Sequence, residues 1–148
     1  MRILVLQGPN LNLIGLQAAR RHERVTLDKI NKRLRQHAHQ VHPHPELKFL
    51  QTHRVDKAIT FLQRNRNWAQ GVLLAPMAWA RYEHALQETL RWINLTTVQV
   101  LFLDEYGSGV DRDTSILTDV CVATVTEHPD AAFVQALDIL VPRLSDNS

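Results

Sequence analysis

The chain has 148 residues, 45% hydrophobic and 22% charged, with 17 Lys and Arg against 15 Asp and Glu. That size and balance fit one globular domain with a real core and exclude a disordered tail, a collagen-like repeat or a coiled coil. A net charge of +2 is too small to announce a nucleic acid or a membrane surface as partner, and the lone Cys121 excludes an internal disulfide and suits a reducing compartment.

Met1-Arg2-Ile3-Leu4-Val5-Leu6 is apolar over residues 3–6 before Gln7-Gly8-Pro9 stops the run. A signal peptide needs a longer stretch, so this reads as a buried strand in a cytoplasmic protein. No apolar run approaches the roughly 18 residues that span a bilayer. Residues 7–25 read as an irregular loop. Thr26 then caps a helix with Leu27, Ile30 and Leu34 on one face, and Lys29 in place of Glu leaves the capping box half made.

The following His37-Ala38-His39-Gln40-Val41-His42-Pro43-His44 holds half of the eight histidines. Imidazoles this close offer ligands to a transition metal, but a folded site normally gathers them from separate elements. The run therefore reads as a solvated connector, and neither metal nor cofactor is expected. Strands at 47–50, 72–74, 98–103 and 120–125 alternate with helical faces Ala58, Ile59, Leu62 and Leu86, Leu90, Ile93. Cys121 falls inside the last strand as a core residue. A final helix is expected over 131–140, capped by Asp130 after Pro129, with 144–148 as a flexible tail.

Five strands alternating with four helices predict a single α/β domain over 1–148: a flavodoxin-like, doubly wound five-stranded parallel sheet in three layers, α/β/α. With strand order 2-1-3-4-5, ligands bind beyond the carboxyl ends of the strands. That directs attention to the loops at 7–25, 75–82 and 104–115. No zinc motif, phosphate-binding loop, dinucleotide glycine pattern or nucleophile elbow is present.

The first loop spells Gly8-Pro9-Asn10-Leu11-Asn12-Leu13-Ile14-Gly15. It resembles the G-P-N-L-N-L-L-G signature that opens type II 3-dehydroquinate dehydratases, with one conservative change, and the family's strand–helix order continues to the last helix. Weaker matches follow: Gln51-Thr52 for a Q-S pair, Pro76 and Ala78 in N-P-G-A-Y-T-H-T, and Arg112 and Ser115 in H-A-R-E-E-F-R-H-H-S. The resemblance implies the same fold and a homo-oligomer, with trimers assembled into dodecamers. It also implies a dehydration in which a tyrosine, its pKa lowered by an arginine, takes the proton beside a ketone. An asparagine-held water stabilises the enolate, and a histidine protonates the leaving hydroxyl.

Carried over position by position, that machinery is depleted. Gln17 stands at the arginine, His22 at the tyrosine, Ala75 at a substrate-binding asparagine and Arg81 at the acid histidine. Val55 and Gln99 each replace a glutamate, Leu101 a ring-binding histidine and Ser108 an arginine, while Glu127-His128-Pro129 replaces a glycine-rich turn. Asn12, Arg112 and the framework Pro9 remain. The first loop has no tyrosine, so a shift of register does not restore the base.

Two readings follow. In one, the protein is a pseudoenzyme that keeps the oligomeric scaffold and binds an anionic small molecule or a protein partner in the old cleft. In the other, it is an active hydro-lyase with His22 as base and Asn12 holding water, while Arg81, Arg112, Arg20 and Arg21 bind the substrate. Arg20, Arg21 and Arg24 equally make a solvated edge. Arg81, with Tyr82 and His84 after Trp79, either holds an anion at a helix start or simply faces water. Asp104, Glu105, Asp111 and Asp113 turn a carboxylate away or pair with the arginines and fill the cleft. An enzyme requires His22, Asn12 and Arg112 to converge on one open pocket; a pseudoenzyme predicts a cleft closed by Trp79, Met77 and Leu101.

Overall fold

Alternate residues along the first strand point to opposite faces, and the two resulting apolar sets each need a layer of helices to cover them. The computed structural model, which describes residues 1–146, meets that need with five strands: β1 (Arg2–Gln7), β2 (Glu46–Gln51), β3 (Gly71–Ala75), β4 (Thr96–Phe102) and β5 (Ala123–Glu127). All pair in parallel in the order β2-β1-β3-β4-β5. The helices are α1 (Ile14–Arg20), α2 (Leu27–Ala38), α3 (Val55–Asn65), α4 (Trp79–Tyr82), α5 (His84–Ile93) and α6 (Pro129–Asp146). This is the expected flavodoxin-like three-layer fold.

Ile3, Val5, Leu73 and Val100 face α2 and α6, where they meet Leu34, Phe133, Leu137 and Leu140. Leu4, Leu6, Val72 and Leu74 face α3 and α5 and meet Ala58, Leu62, Leu86 and Leu90. The rings of Phe102 and Phe133 cross edge to face at 6.2 Å. Thr26 caps α2 as predicted, its Oγ1 accepting the Lys29 N–H at 3.2 Å.

Five sequence expectations need correction. The first loop is not irregular throughout: Leu11, Ile14 and Ala18 form a buried face, and residues 14–20 are the helix α1. The last strand begins at Ala123 rather than 120, because Thr118–Val120 form a 3₁₀ turn that delivers the Val122 N–H to Thr97 O at 2.9 Å. Cys121 therefore lies just outside the strand, partly buried, with its thiol pKa pushed up to about 12 by burial. The final helix starts at Pro129, which puts Asp130 in its first turn instead of at the cap, and the Asp130 N–H donates to His128 Nδ1 at 3.2 Å.

That helix also continues through Pro142 to Asp146, so residues 144–146 of the expected tail are helical; 147 and 148 lie outside the described residues. Its last turn is held by packing. Leu144 is buried, and a Cβ on Gly71 would sit only 3.0 Å from its Cδ1.

In the histidine run, His37 Nε2 lies 2.7 Å from Asp138 Oδ1 and ties α2 to α6. His39, His42 and His44 are exposed, with ring centroids 5.9 Å apart for His39–His44 and 4.7 Å for His42–His44. Among the described residues, no three His, Cys, Asp or Glu side chains are arranged to hold a metal ion. No described helix is long and apolar enough to cross a membrane.

A candidate ligand site at the carboxyl end of the sheet

The loops that leave β1, β2 and β3 are joined by their own backbone. Gly8 N–H donates to Ala75 O at 2.8 Å, and Thr52 N–H to Gln7 O at 3.0 Å. Gln51 Nε2 donates to Gly8 O at 3.0 Å. Helix α1 lies over this junction. Its inner face is buried, while Leu16 is 60% exposed and Leu13, just before the helix, is 48% exposed. Between α1, Met77 after β3 and Glu105–Ser108 after β4 is a cavity of about 320 Å³, with Asn10, Gln17 and Arg20 also on its walls. A cleft of this size is at the small end for a small-molecule site, roughly 300–1,000 Å³.

Polar contacts close one rim. Gln17 Nε2 donates to Glu105 O at 2.9 Å, and its Oε1 accepts from Arg20 Nη1 at 2.9 Å. Arg21 pairs with Glu105 and, through Nε, with Glu23 Oε1 at 3.1 Å, and its guanidinium lies 5.5 Å from the centroid of the Tyr106 ring. The Tyr106 hydroxyl donates to Glu23 Oε1 at 2.9 Å, and His128 Nε2 lies 2.8 Å from Glu23 Oε2. Glu23 thus joins the end of the first connection to the β5–α6 corner.

The hydrogen bonds from Tyr106, Arg21 and His128 hold the Glu23 carboxyl below its ordinary range. Burial, then the Glu23 carboxylate, pushes the Tyr106 hydroxyl up. A carboxylate with a depressed folded-state pKa contributes stability above its unfolded pKa, and that contribution is lost as pH falls through the folded value. The urea midpoint is therefore expected to fall on acidification from about pH 5 toward pH 3, and Glu23→Gln to lose part of that slope. Equal slopes in the two proteins would remove Glu23 from the account.

Of the predicted catalytic and substrate-binding residues, this cavity takes only Arg20. Arg21 stands behind the rim in its ion pairs. His22 is exposed at φ 59°, at the turn after α1. Asn12 is exposed, with only a long 3.5 Å contact from Gln51 Nε2 to its Oδ1. Arg81 is exposed, and its Nη2 lies so close over Gly109 that a Cβ there would be at 2.7 Å. Arg112 is also exposed, and its carbonyl accepts the Thr118 hydroxyl at 2.7 Å. His22, Asn12, Arg81 and Arg112 are all absent from the cavity lining.

Trp79 and Leu101 are buried in the core, whereas Met77 faces the open cavity, so the cleft is narrowed but not closed. Of the expected acid–arginine pairings, Glu105 makes one with Arg21. Asp111 instead binds the N–H groups of Asp113 and Thr114 at 2.9 Å, and the side chain of Asp104 lies outside what is described. Sequence reasoning missed the apolar wall. Its signal was available: Leu11, Ile14 and Ala18 at helical spacing leave Leu13 and Leu16 on the outer side. The Glu23–Tyr106–His128 group, drawn from distant points of the chain, had no local signal.

The family model for dehydroquinase class II matches residues 1–141. The chain belongs to that family. Within the class II dehydroquinases, a 3-dehydroquinate dehydratase of Trichodesmium erythraeum is 27% identical over 144 residues, covering 97% of this chain and 95% of the relative. One from Dictyoglomus turgidum is 25% identical over 140 residues, covering 95% of both. Among solved structures, the type II dehydroquinase of Butyrivibrio crossotus superposes with a TM-score of 0.80 at 20% identity, over 95% of this chain and 97% of that one. A 3-dehydroquinate dehydratase-like protein from Bifidobacterium longum gives 0.68 at 19% identity, over 99% and 98%. These structural likenesses carry the class II dehydroquinase fold.

Proposed function

We propose that this member of a hydro-lyase family is a pseudoenzyme toward 3-dehydroquinate and uses its cleft to bind a small anion. One observation carries the reading: the cleft presents no group placed to exchange a proton with a substrate. Its one tyrosine, Tyr106, is 5% exposed, donates its hydroxyl to Glu23 and has its pKa raised, whereas a phenolate base needs it lowered. Glu105 is committed to Arg21, and the Arg20 guanidinium offers hydrogen-bond donors and no acceptor. His22 and Asn12, the pair an active lyase would use, lie off the cavity wall.

A cavity of about 320 Å³ favours a small molecule over a protein segment as occupant. The reading includes self-association and a cytoplasmic location. Purified protein incubated with 3-dehydroquinate is expected to give no rise in the ultraviolet absorbance of the conjugated product above background. Turnover that His22→Ala and Asn12→Ala both abolish would install the active lyase instead.

A further inference from the structure

Resting on the reading of the cleft as an anion site, we propose that its ligand is a small amphipathic carboxylate, with an apolar body against Leu13, Leu16 and Met77 and its head on Arg20. The family's machinery, as the resemblance describes it, handles a hydroxylated ring, whose every buried hydroxyl needs a hydrogen-bonding partner. This cavity is poorly equipped for that. Gln17, a polar side chain on its wall, is used at both ends: Oε1 on Arg20 Nη1 and Nε2 on Glu105 O, each at 2.9 Å. Beside the Asn10 amide and the Ser108 hydroxyl, the rest of the wall is the hydrocarbon of Leu13, Ile14, Leu16 and Met77. Leu13 and Leu16 keep 48% and 60% of their surface exposed beside a concave site, where an apolar ligand would remove it from water.

The charged residues on the wall are Arg20 and Glu105. Arg21 is neutralised by Glu23 and Glu105, but Arg20 has no carboxylate partner among the described residues, only the Gln17 oxygen that steadies its guanidinium. A guanidinium held this way offers its remaining N–H groups to a carboxylate as a fork.

Asn10 (φ 71°), a residue type that tolerates it, and Met77 (φ 52°), both on the cavity wall, adopt the left-handed conformation. Met77 is the first central residue of the turn closed by the Trp79 N–H to Pro76 O bond at 3.1 Å, just before α4. Such strain persists where the surroundings fix it, commonly at ligand sites, and here it places a flexible thioether side chain on the cavity wall.

The test is calorimetric titration of the full chain with octanoate, inorganic phosphate and 3-dehydroquinate, repeated on Arg20→Gln, Leu16→Asn and Trp92→Ala. Leu16 and Trp92 are exposed, so neither substitution threatens the fold. Trp92 lines a separate groove of about 680 Å³ between α3 and α5. Octanoate is expected to bind once per chain, weakened roughly tenfold by Arg20→Gln and by Leu16→Asn and unchanged by Trp92→Ala, with phosphate and 3-dehydroquinate roughly tenfold weaker. Phosphate or 3-dehydroquinate binding as tightly as octanoate would overturn the amphipathic class. So would octanoate binding that Trp92→Ala removes and Leu16→Asn spares, or no octanoate binding at millimolar concentration. Turnover of 3-dehydroquinate by the same sample sinks the pseudoenzyme reading alone if octanoate still binds at Arg20 and Leu16, and both ideas if it does not.

Discussion

Phe133→Ala is expected to lower the unfolding free energy by about 3–5 kcal/mol, the usual cost of removing a fully buried aromatic ring. Phe133 is 1% exposed on the inner face of α6 and meets the Phe102 ring edge to face at 6.2 Å. Its removal costs the transfer energy of the ring, the cavity it leaves and the aromatic contact. In a chain of this length each kcal/mol moves the melting temperature by roughly 2–4 °C, so the loss is easily read by calorimetry or a urea titration. A loss below about 1 kcal/mol would mean that α6 does not pack against β4 as described. Phe102 is the more consequential neighbour, since the turn that carries Glu105 and Tyr106 leaves the sheet just after it.

Gly8→Ala is expected to cost about 1–3 kcal/mol, as overpacking does when the obstruction is backbone. A Cβ at Gly8 would lie 2.5 Å from Pro76 O, 2.9 Å from Pro76 C and 3.2 Å from Ala75 O. No rotamer change relieves that approach, so the loops after β1 and β3 must move apart. The Gly8 N–H to Ala75 O bond at 2.8 Å would be stretched with them. Because Met77 follows Pro76 directly, the displacement reaches the cavity wall as well. A variant within about 0.5 kcal/mol of the parent by urea denaturation would contradict the close approach. This glycine is required by proximity, not by a left-handed φ.

The sheet was legible in the sequence because its signal is local. Runs such as Ile3–Val5 and Val72–Leu74 are buried on both sides and read as uninterrupted apolar segments between turn residues. The same locality misled at the last strand, where Val120, Cys121 and Val122 have strand-like composition but serve a 3₁₀ turn and an edge connection. The last helix runs further than the expected 131–140: it passes Pro142, and burial of Leu144 holds its last turn.

The candidate site was less legible. The Gly8–Gly15 motif placed the right loop at the right end of the sheet, but a residue-by-residue carry-over selects positions for the chemistry they had in other chains. His22 and Arg112 are where that carry-over put them in sequence, yet neither lines the cavity. What shapes the present cleft is Leu16, Met77 and the contacts of Gln17, and those depend on how α1 sits across the loops.

The rim is held by two kinds of contact with different sensitivities. The Arg21–Glu105 pair is exposed, and an exposed pair weakens as the Debye length contracts from about 10 Å at 0.1 M salt to about 3 Å at 1 M. The bond from Tyr106 to Glu23 begins at a buried hydroxyl and is screened far less. Rising ionic strength therefore weakens the Arg21–Glu105 contact while the bond from Tyr106 to Glu23 holds. Acid acts from the other side, at Glu23. Two solution variables thus address two layers of one rim.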